Sequence, residues 1–453
     1  MADGEPVRAA VRELALFLGT SVEDPGFLAD PNRCLTPAMR ARSVHRLPGG
    51  ALAVLGHAAC AEVLGDARFG HGAGELYETS LLGLPARSFL QLDAPAHTRL
   101  RGQVARYFSG RRVRVLAERV TRHSRELVHG CPDGPGDFVA GVAEPLAMAV
   151  MSEVLGVPDQ ERKAFRRDAR LVVQGLDHPA RVLDEPAVAR ARFRLVRFFH
   201  RQAARPRGPA EQDGLLSTLL RPPDGPPADI REAVTTCGLL LSAGYDTTVS
   251  LLSHAVAQLS GDRSGRLWAL ARDPALVDAV VEEVLRLHSP VQVAPRAALC
   301  DVVLRGVPAA RGTVVLPLLA AANRDPDVFD APHAFRPRRH LPRDGGSRAA
   351  RHLALGAGAH FCLGAALARL TARTALSVLA GRPPRLREAP RDYQNNVVVR
   401  GLRRLPVDWP PRRTATAPHP SSGDPAPAED TAPGGGAAPT CPVLHPRGAA
   451  HDQ

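Results

Sequence analysis

Leu355-Gly356-Ala357-Gly358-Ala359-His360-Phe361-Cys362-Leu363-Gly364-Ala365-Ala366-Leu367-Ala368-Arg369 decides how this chain is read. Glycines at 356, 358 and 364 form a pliable loop that delivers a lone cysteine to the start of an alanine-rich run, which reads as a helix. The first amides of a helix lack partners within it and its dipole favours negative charge there, so Cys362 is expected to favour thiolate over thiol. A sulfur so placed is a ligand or a nucleophile. The blander alternative, a small buried cysteine filling a gap, is the commoner fate of the residue, yet it leaves the three glycines without a purpose. A phosphate loop fits poorly, because the lysine and hydroxyl of the Walker pattern are missing.

Working outward, two helical segments carry further patterns. The first starts after Pro226-Pro227, with Asp229 as N-cap, and runs from Ile230 to about Gln258. At 1.5 Å per residue it spans roughly 40 Å, so it must cross the whole molecule. Within it lies Ala243-Gly244-Tyr245-Asp246-Thr247-Thr248. Gly244 lacks a side chain and the threonine hydroxyls compete for backbone carbonyls, so the helix is expected to open locally and leave a gap beside it. Read alone, the hexamer is equally a polar kink in a buried helix. The second segment has Asp273 as N-cap and Pro274 at its first position, and ends before Pro290. Its Leu276, Val277, Val280, Val284 and Leu287 recur at three and four, which makes one face core. It also carries Glu283-Val284-Leu285-Arg286, a pairing that on most helices is a solvated surface contact of little weight.

Together these segments resemble the cytochromes P-450. The cysteine loop is similar to the family's haem-binding pattern F-G-x-G-x-H-x-C-x-G, with Leu355 in place of the first Phe. The resemblance implies that Cys362 is the axial ligand of a haem b iron and that the loss of Phe at 355 alters the redox potential. Glu283 and Arg286 correspond to the family's buried E-x-x-R, a structural pair whose third partner would be Arg336, Arg338 or Arg339. The hexamer is similar to A-G-x-D/E-T-T, in which Gly244 makes room for dioxygen. Thr247 would hydrogen-bond at the oxygen site and Asp246 would relay protons from solvent, making these two the catalytic candidates. His97 and Arg101 lie four apart in Asp93-Ala94-Pro95-Ala96-His97-Thr98-Arg99-Leu100-Arg101, similar to D-P-P-x-H-x-x-x-R with a departure at Ala94. With Arg296 and His360 they would partner the two haem propionates, which need basic groups once buried. Ala322-Asn323-Arg324-Asp325-Pro326 and the segment Arg400 to Val407 extend the resemblance, which covers roughly residue 45 to Pro406.

The chain has 453 residues, 44% hydrophobic and 23% charged, which excludes global disorder and a mini-protein. Of its 58 Lys plus Arg only Lys163 is lysine, so the net charge of +12 comes from arginine. These arginines are scattered, without a dense basic tract or interleaved aromatics, so no nucleic acid is expected as a partner. Seven widely spaced cysteines with no C-x-x-C argue against a disulfide framework or a zinc ribbon and suit a reducing compartment. The N-terminus is acidic where a signal peptide is basic, and the longest apolar run, Val314 to Ala322, is nine residues and contains Pro317. No membrane span is expected, and the expected location is cytoplasmic. Long helical patterns dominate, with strand-like runs at Gly49 to Leu55, Asp301 to Leu319 and Val397 to Val407. The expected fold class is therefore mainly α with a small β-sheet region (α+β), as one large domain over 1–409. From Pro410 onward ten of 44 residues are proline, so 410–453 reads as a disordered Pro/Gly/Ala-rich tail.

By the resemblance the protein is a haem-thiolate monooxygenase, an oxidoreductase acting on paired donors with incorporation of molecular oxygen. One oxygen atom enters an apolar small-molecule substrate, free or carrier-bound, in secondary-metabolite biosynthesis. No G-x-G-x-x-G follows a strand, so electrons are expected from a separate ferredoxin and its reductase. Arg99, Arg106, Arg111, Arg112 and Arg351 would steer an acidic ferredoxin to the cysteine loop. The competing class is a non-catalytic haem-binding sensor or recruitment module of the same fold, which would be expected to lose Cys362 or the Asp246–Thr247 pair. The expected substrate walls are residues 72–92, 172–199, 291–295 and 395–398 and the helix around Leu240 to Thr247.

Overall fold

A computed structural model describes residues 5–72, 82, 84, 87–108, 110–174, 185–205, 214–222, 226–342, 350–394 and 396–412. Most of the expected tail, residues 413–453, lies outside them. Helices α1 (Glu5–Phe17), α2 (Pro25–Ala29) and α3 (Asn32–Ala41) lead into strands β1 (Val44–Arg46) and β2 (Leu52–Val54), helix α4 (His57–Gly65) and strand β3 (Phe69–Gly70). The helical block follows: α5 (Ala96–Tyr107), α6 (Gly110–Gly130), strand β4 (Gly134–Asp137), α7 (Glu144–Leu155), α8 (Arg162–Gln174), α9 (Pro186–Ala204), α10 (Leu215–Leu220) and α11 (Ile230–Ser260). Then come α12 (Arg266–Arg272), α13 (Val277–Leu287), strands β5 (Arg296–Ala298), β6 (Val302–Leu304), β7 (Val307–Ala309) and β8 (Val314–Pro317), and α14 (Leu319–Ala322). The described chain closes with α15 (Ala365–Leu379), β9 (Arg385–Leu386), β10 (Asp392–Tyr393), β11 (Leu402–Arg404) and β12 (Pro406–Trp409). Helices dominate and the sheets are small, as the sequence implies. No described helix is long and apolar enough to cross a membrane.

The main sheet has the order β1-β2-β8-β5-β3, antiparallel except where β2 runs parallel to β8 with Leu52 opposite Val315. Alternation along β2 sends Leu52 and Val54 into a core shared with α4, and Ala53 into another shared with α1 and α3. The largest core surrounds α11, which buries Val234, Leu241, Val249, Leu252 and Val256 among α7, α13 and α15. Asp229 caps α11 as expected, its carboxylate accepting from the amides of Arg231 (2.8 Å) and Glu232 (3.4 Å).

Three expectations change. α11 is continuous through 243–248 and does not open there; the Thr247 hydroxyl bonds back to the Ala243 carbonyl without breaking the helix. α13 starts at Val277, because Asp273 caps a preceding turn instead, accepting from the Ala275 amide at 2.8 Å while Leu276 has φ −111°. Finally, Gly134–Asp137, a run of turn-formers, is a strand paired over four residues with β12. Contacts with the body continue past 409: the Pro410 carbonyl accepts from Arg382 Nε at 3.0 Å, and Arg412 reaches the Cys131 carbonyl at 3.3 Å.

Candidate active site

The cysteine loop is tied by its own backbone. Gly356 donates to the Leu353 carbonyl (2.8 Å), Phe361 to Gly358 (3.1 Å) and Cys362 to Leu355 (2.8 Å), and α15 begins three residues beyond the sulfur. Gly358 is required twice over: its φ is +65°, and a Cβ there would lie 2.2 Å from the Leu64 carbonyl at the end of α4. Desolvation pushes the Cys362 thiol above its ordinary value, and it outweighs the Gly364 amide and the charges of Arg101 and Arg369, which act the other way. The helix terminus alone had suggested a thiolate; burial reverses that preference until a cation compensates.

Cys362 forms part of the wall of a cavity of about 180 Å³ that is partly open to solvent. Ala243, Gly244, Thr247 and Thr248 of α11 line it, with Val150, Met151 and Val154 of α7 and the apolar Phe89, Leu90 and Phe108. The bare face of Gly244 is taken up by Met151, whose Sδ would come within 2.3 Å of an added Cβ. Thr247 Oγ1 donates to the Ala243 carbonyl at 2.6 Å. Asp246 is buried and is not among the cavity's described lining residues.

Four expected bases meet near Cys362. His97 and His360 are in ring contact at 4.2 Å, Arg101 Nη2 donates to the Phe361 carbonyl at 2.5 Å, and buried Arg296 donates to the Pro295 carbonyl at 2.8 Å. Desolvation, together with Arg296, His97 and Arg101, pushes His360 down to about 3, and desolvation and Arg101 also lower His97. Both imidazoles are thus biased toward the neutral form and face cations. His97 Nε2 and His360 Nδ1 are buried without a hydrogen-bond partner among the described residues. Orphaned donors among guanidinium groups suit a ligand that brings carboxylates with it.

Glu283 lies at the centre of a network behind the loop. Arg286, fully buried, donates to both its oxygens at 2.8 Å and to the carbonyls of Asn323 (2.9 Å), Pro332 (2.7 Å) and Ala334 (3.1 Å). Of the three candidate arginines, Arg339 supplies the side-chain bond (3.1 Å), Arg336 gives only its amide (2.8 Å), and Arg338 is exposed. Desolvation raises the Glu283 carboxyl, but these bonds and that of His340 (2.8 Å) hold it near 2. Sequence reasoning missed His340, and also Glu282, which bonds Arg369 of α15 (2.6 and 2.8 Å) and His352 (3.2 Å). Asn323 Oδ1 accepts from the Leu353 amide at 2.6 Å, so α13 fixes the chain on both sides of Cys362.

The family model for cytochrome P-450 matches residues 268–379, spanning the Glu283 network and the cysteine loop. Cytochrome P-450 monooxygenase PikC of Streptomyces venezuelae is 38% identical over 337 residues, covering 71% of this chain and 76% of that protein. The chain belongs to the cytochrome P-450 family. Nocardicin C N-oxygenase of Nocardia uniformis subsp. tsuyamanensis is 36% identical over 406 residues, 85% of this P-450 and 95% of that one. The fold agrees. The crystal structure of P450BioI in complex with hexadec-9Z-enoic acid ligated acyl carrier protein superposes with a TM-score of 0.74 at 28% identity, covering 85% of this chain and all of that one (100%). This P-450 is accordingly a monooxygenase, its cofactor is haem b, and it depends on redox partners.

Not every expected wall faces the cavity in this P-450. Gln292, Val293, Asn396 and Val397 line a separate apolar cavity closed by α1, α2 and α3. Among the arginines expected to meet a ferredoxin, Arg99 is bonded to Glu232 at 2.5 Å, Arg112 lies 5.1 Å over the Tyr107 ring and Arg351 lies 4.4 Å over Phe361, next to the cysteine. The side chain of Arg111 lies outside the described residues.

Proposed function

We propose that Cys362 would hold haem in this P-450 and that the enzyme oxidises an apolar small molecule of secondary metabolism, with electrons from a separate ferredoxin and reductase. The observation that carries the reading is that Cys362, Thr247, Arg101 and His360 line one cavity, with His97 Nε2 and His360 Nδ1 buried without a hydrogen-bond partner among the described residues. When bound, haem supplies reductive activation of dioxygen, one atom going to substrate as hydroxyl or epoxide and the other leaving as water.

Every other part is assigned to the chain's own residues. His97, Arg101, Arg296 and His360 receive the haem carboxylates, the two orphaned imidazole nitrogens gaining partners thereby. Gly244 allows close approach at α11 once Met151, a pliable side chain, moves aside. The Thr247 proton is committed to Ala243, so its lone pairs accept from a water and hold that water's second proton toward the reacting site; Asp246 replenishes protons from solvent. Glu283 and Arg286 are structural. The apolar walls Phe89, Leu90, Phe108, Val150 and Val154 exclude water and select apolar substrates. The described cysteines stand apart as thiols, which suits the cytoplasm, where we place the protein.

The deciding experiment is the visible spectrum of the reduced, carbon-monoxide-treated holoenzyme. We expect the red-shifted Soret band of thiolate ligation, lost in Cys362→Ala; a band that survives this substitution refutes the assignment. Arg99, Arg106 and Arg351 are exposed, so reduction by an acidic ferredoxin should slow as ionic strength rises, and a salt-independent rate would exclude charge steering. Because P450BioI is solved with a loaded carrier protein, spin-state titrations should compare free acids with their carrier-linked forms.

A further inference from the structure

No motif singles out His71, yet it is 1% exposed and lies against the bases near Cys362. Strand pairing brings it there. β3 meets β5 with Phe69 opposite Ala298 and Gly70 opposite Ala297, so the next step of the antiparallel register brings His71 level with Arg296. Asp93 clamps this end of the strand: both its carboxylate oxygens accept from the His71 amide, at 3.0 and 3.1 Å, and a Cβ on Gly70 would lie 2.4 Å from Oδ1. The His71 ring then meets His360 edge-on, with centroids 4.6 Å apart and planes at 73°. His360 is thus in ring contact with two histidines, His71 and His97.

His360 sits on a single 3-10 turn, Gly358–His360, whose backbone bonds hold the loop but do not fix the rotation of the ring. The neighbouring rings must do that. Resting on the reading that these bases receive the haem carboxylates, we propose that His71 is a positioning residue for haem, held edge-on against His360 and acting through its ring nitrogens beside Arg296. An imidazole suits the place better than a hydrocarbon ring. It can present an acceptor nitrogen to Arg296 or a donor to a carboxylate, and a phenyl ring can do neither.

The test uses holoenzyme at one fixed pH and reads haem transfer to excess apomyoglobin together with the ferric/ferrous potential. His71→Ala should release haem about tenfold faster or more, the usual cost of losing an outer-sphere partner. His71→Phe keeps the bulk and should also release haem faster, with a lowered potential, whereas His71→Gln restores a donor and an acceptor and should recover much of the retention. If Ala and Phe variants both hold haem as long as wild type, or Phe alone restores wild-type retention and potential, the assignment is overturned, since packing then accounts for everything. A wild-type chain that takes up no haem overturns the reading beneath it as well, and the wild-type spectrum separates the two failures. Should the alanine variant not fold, the Phe and Gln variants decide.

Discussion

Thr247 lies on the cavity wall with its proton already spent on Ala243, one turn back, at 2.6 Å. Such a bond contributes little to the helix and competes with its ladder, while alanine is the better helix former by about half a kcal/mol. Thr247→Ala should therefore leave haem content, substrate binding and melting temperature near wild type. What it removes is the acceptor that holds a water at the reacting site, so reducing equivalents should appear as hydrogen peroxide in place of product. Product formed per electron pair delivered, with peroxide measured alongside, checks this, and full coupling in the variant would remove Thr247 from proton delivery. Thr247 and Cys362 were legible because each sits in a local pattern that only an unusual backbone or a special polar need explains. His71 was not. A single histidine two residues after a phenylalanine carries no period, and what gives it meaning is the β3–β5 register, set by residues more than 200 positions away.

At the level of elements, α13 is the brace of the site. Its Glu283–Arg286 pair has no exposed side-chain surface, and Arg286 spends its donors on one carboxylate and three carbonyls from the segment 323–334. Removing one partner of a buried pair costs about 3–5 kcal/mol, because the other charge is left uncompensated. Arg286→Met should lose stability on that scale in urea unfolding and load less haem, as Asn323, which anchors Leu353, shares the network. A variant within 1 kcal/mol of wild type would mean Arg339 and His340 suffice for Glu283. The E-x-x-R spacing made this pair visible, but the helix start was placed three residues early, since Asp273-Pro274 signals a turn as readily as a helix. β4 was illegible for a related reason: Gly134-Pro135-Gly136-Asp137 has turn composition, and it is a strand only because β12 pairs with it and the Trp409 ring covers Gly136, where a Cβ would lie 3.1 Å from Nε1.

Across the whole molecule, buried histidines and carboxylates set a pH dependence whose sign follows from their shifts. His254, 1% exposed, stacks on His288 at 5.1 Å, and its Nε2 accepts from Arg400, which also reaches the Leu28 carbonyl at 2.9 Å. This cluster joins α2, α11 and the chain before β11. Desolvation first, then Arg400, pushes His254 down to about 3, and His288, which keeps part of its surface exposed, is lowered by desolvation and by His254. A depressed histidine adds no penalty above its unfolded value near 6.5; as pH falls below that, the unfolded chain binds a proton that the folded chain refuses. Stability should thus decline from about pH 6.5 toward 3, by about 1.4 kcal/mol per pH unit for His254. Glu282 and Glu283, both held near 2, add a second loss from about pH 4.5 downward as the unfolded chain protonates first. His254→Asn removes the His254 share of the first component and relieves the part of the His288 shift that His254 causes. Urea unfolding of both holoenzymes between pH 6.5 and 5 should show a shallower slope for the variant, and because both carry the same haem-site histidines, their titration cancels in the difference. Equal slopes would mean that the fold takes up a proton at His254 as readily as the open chain does.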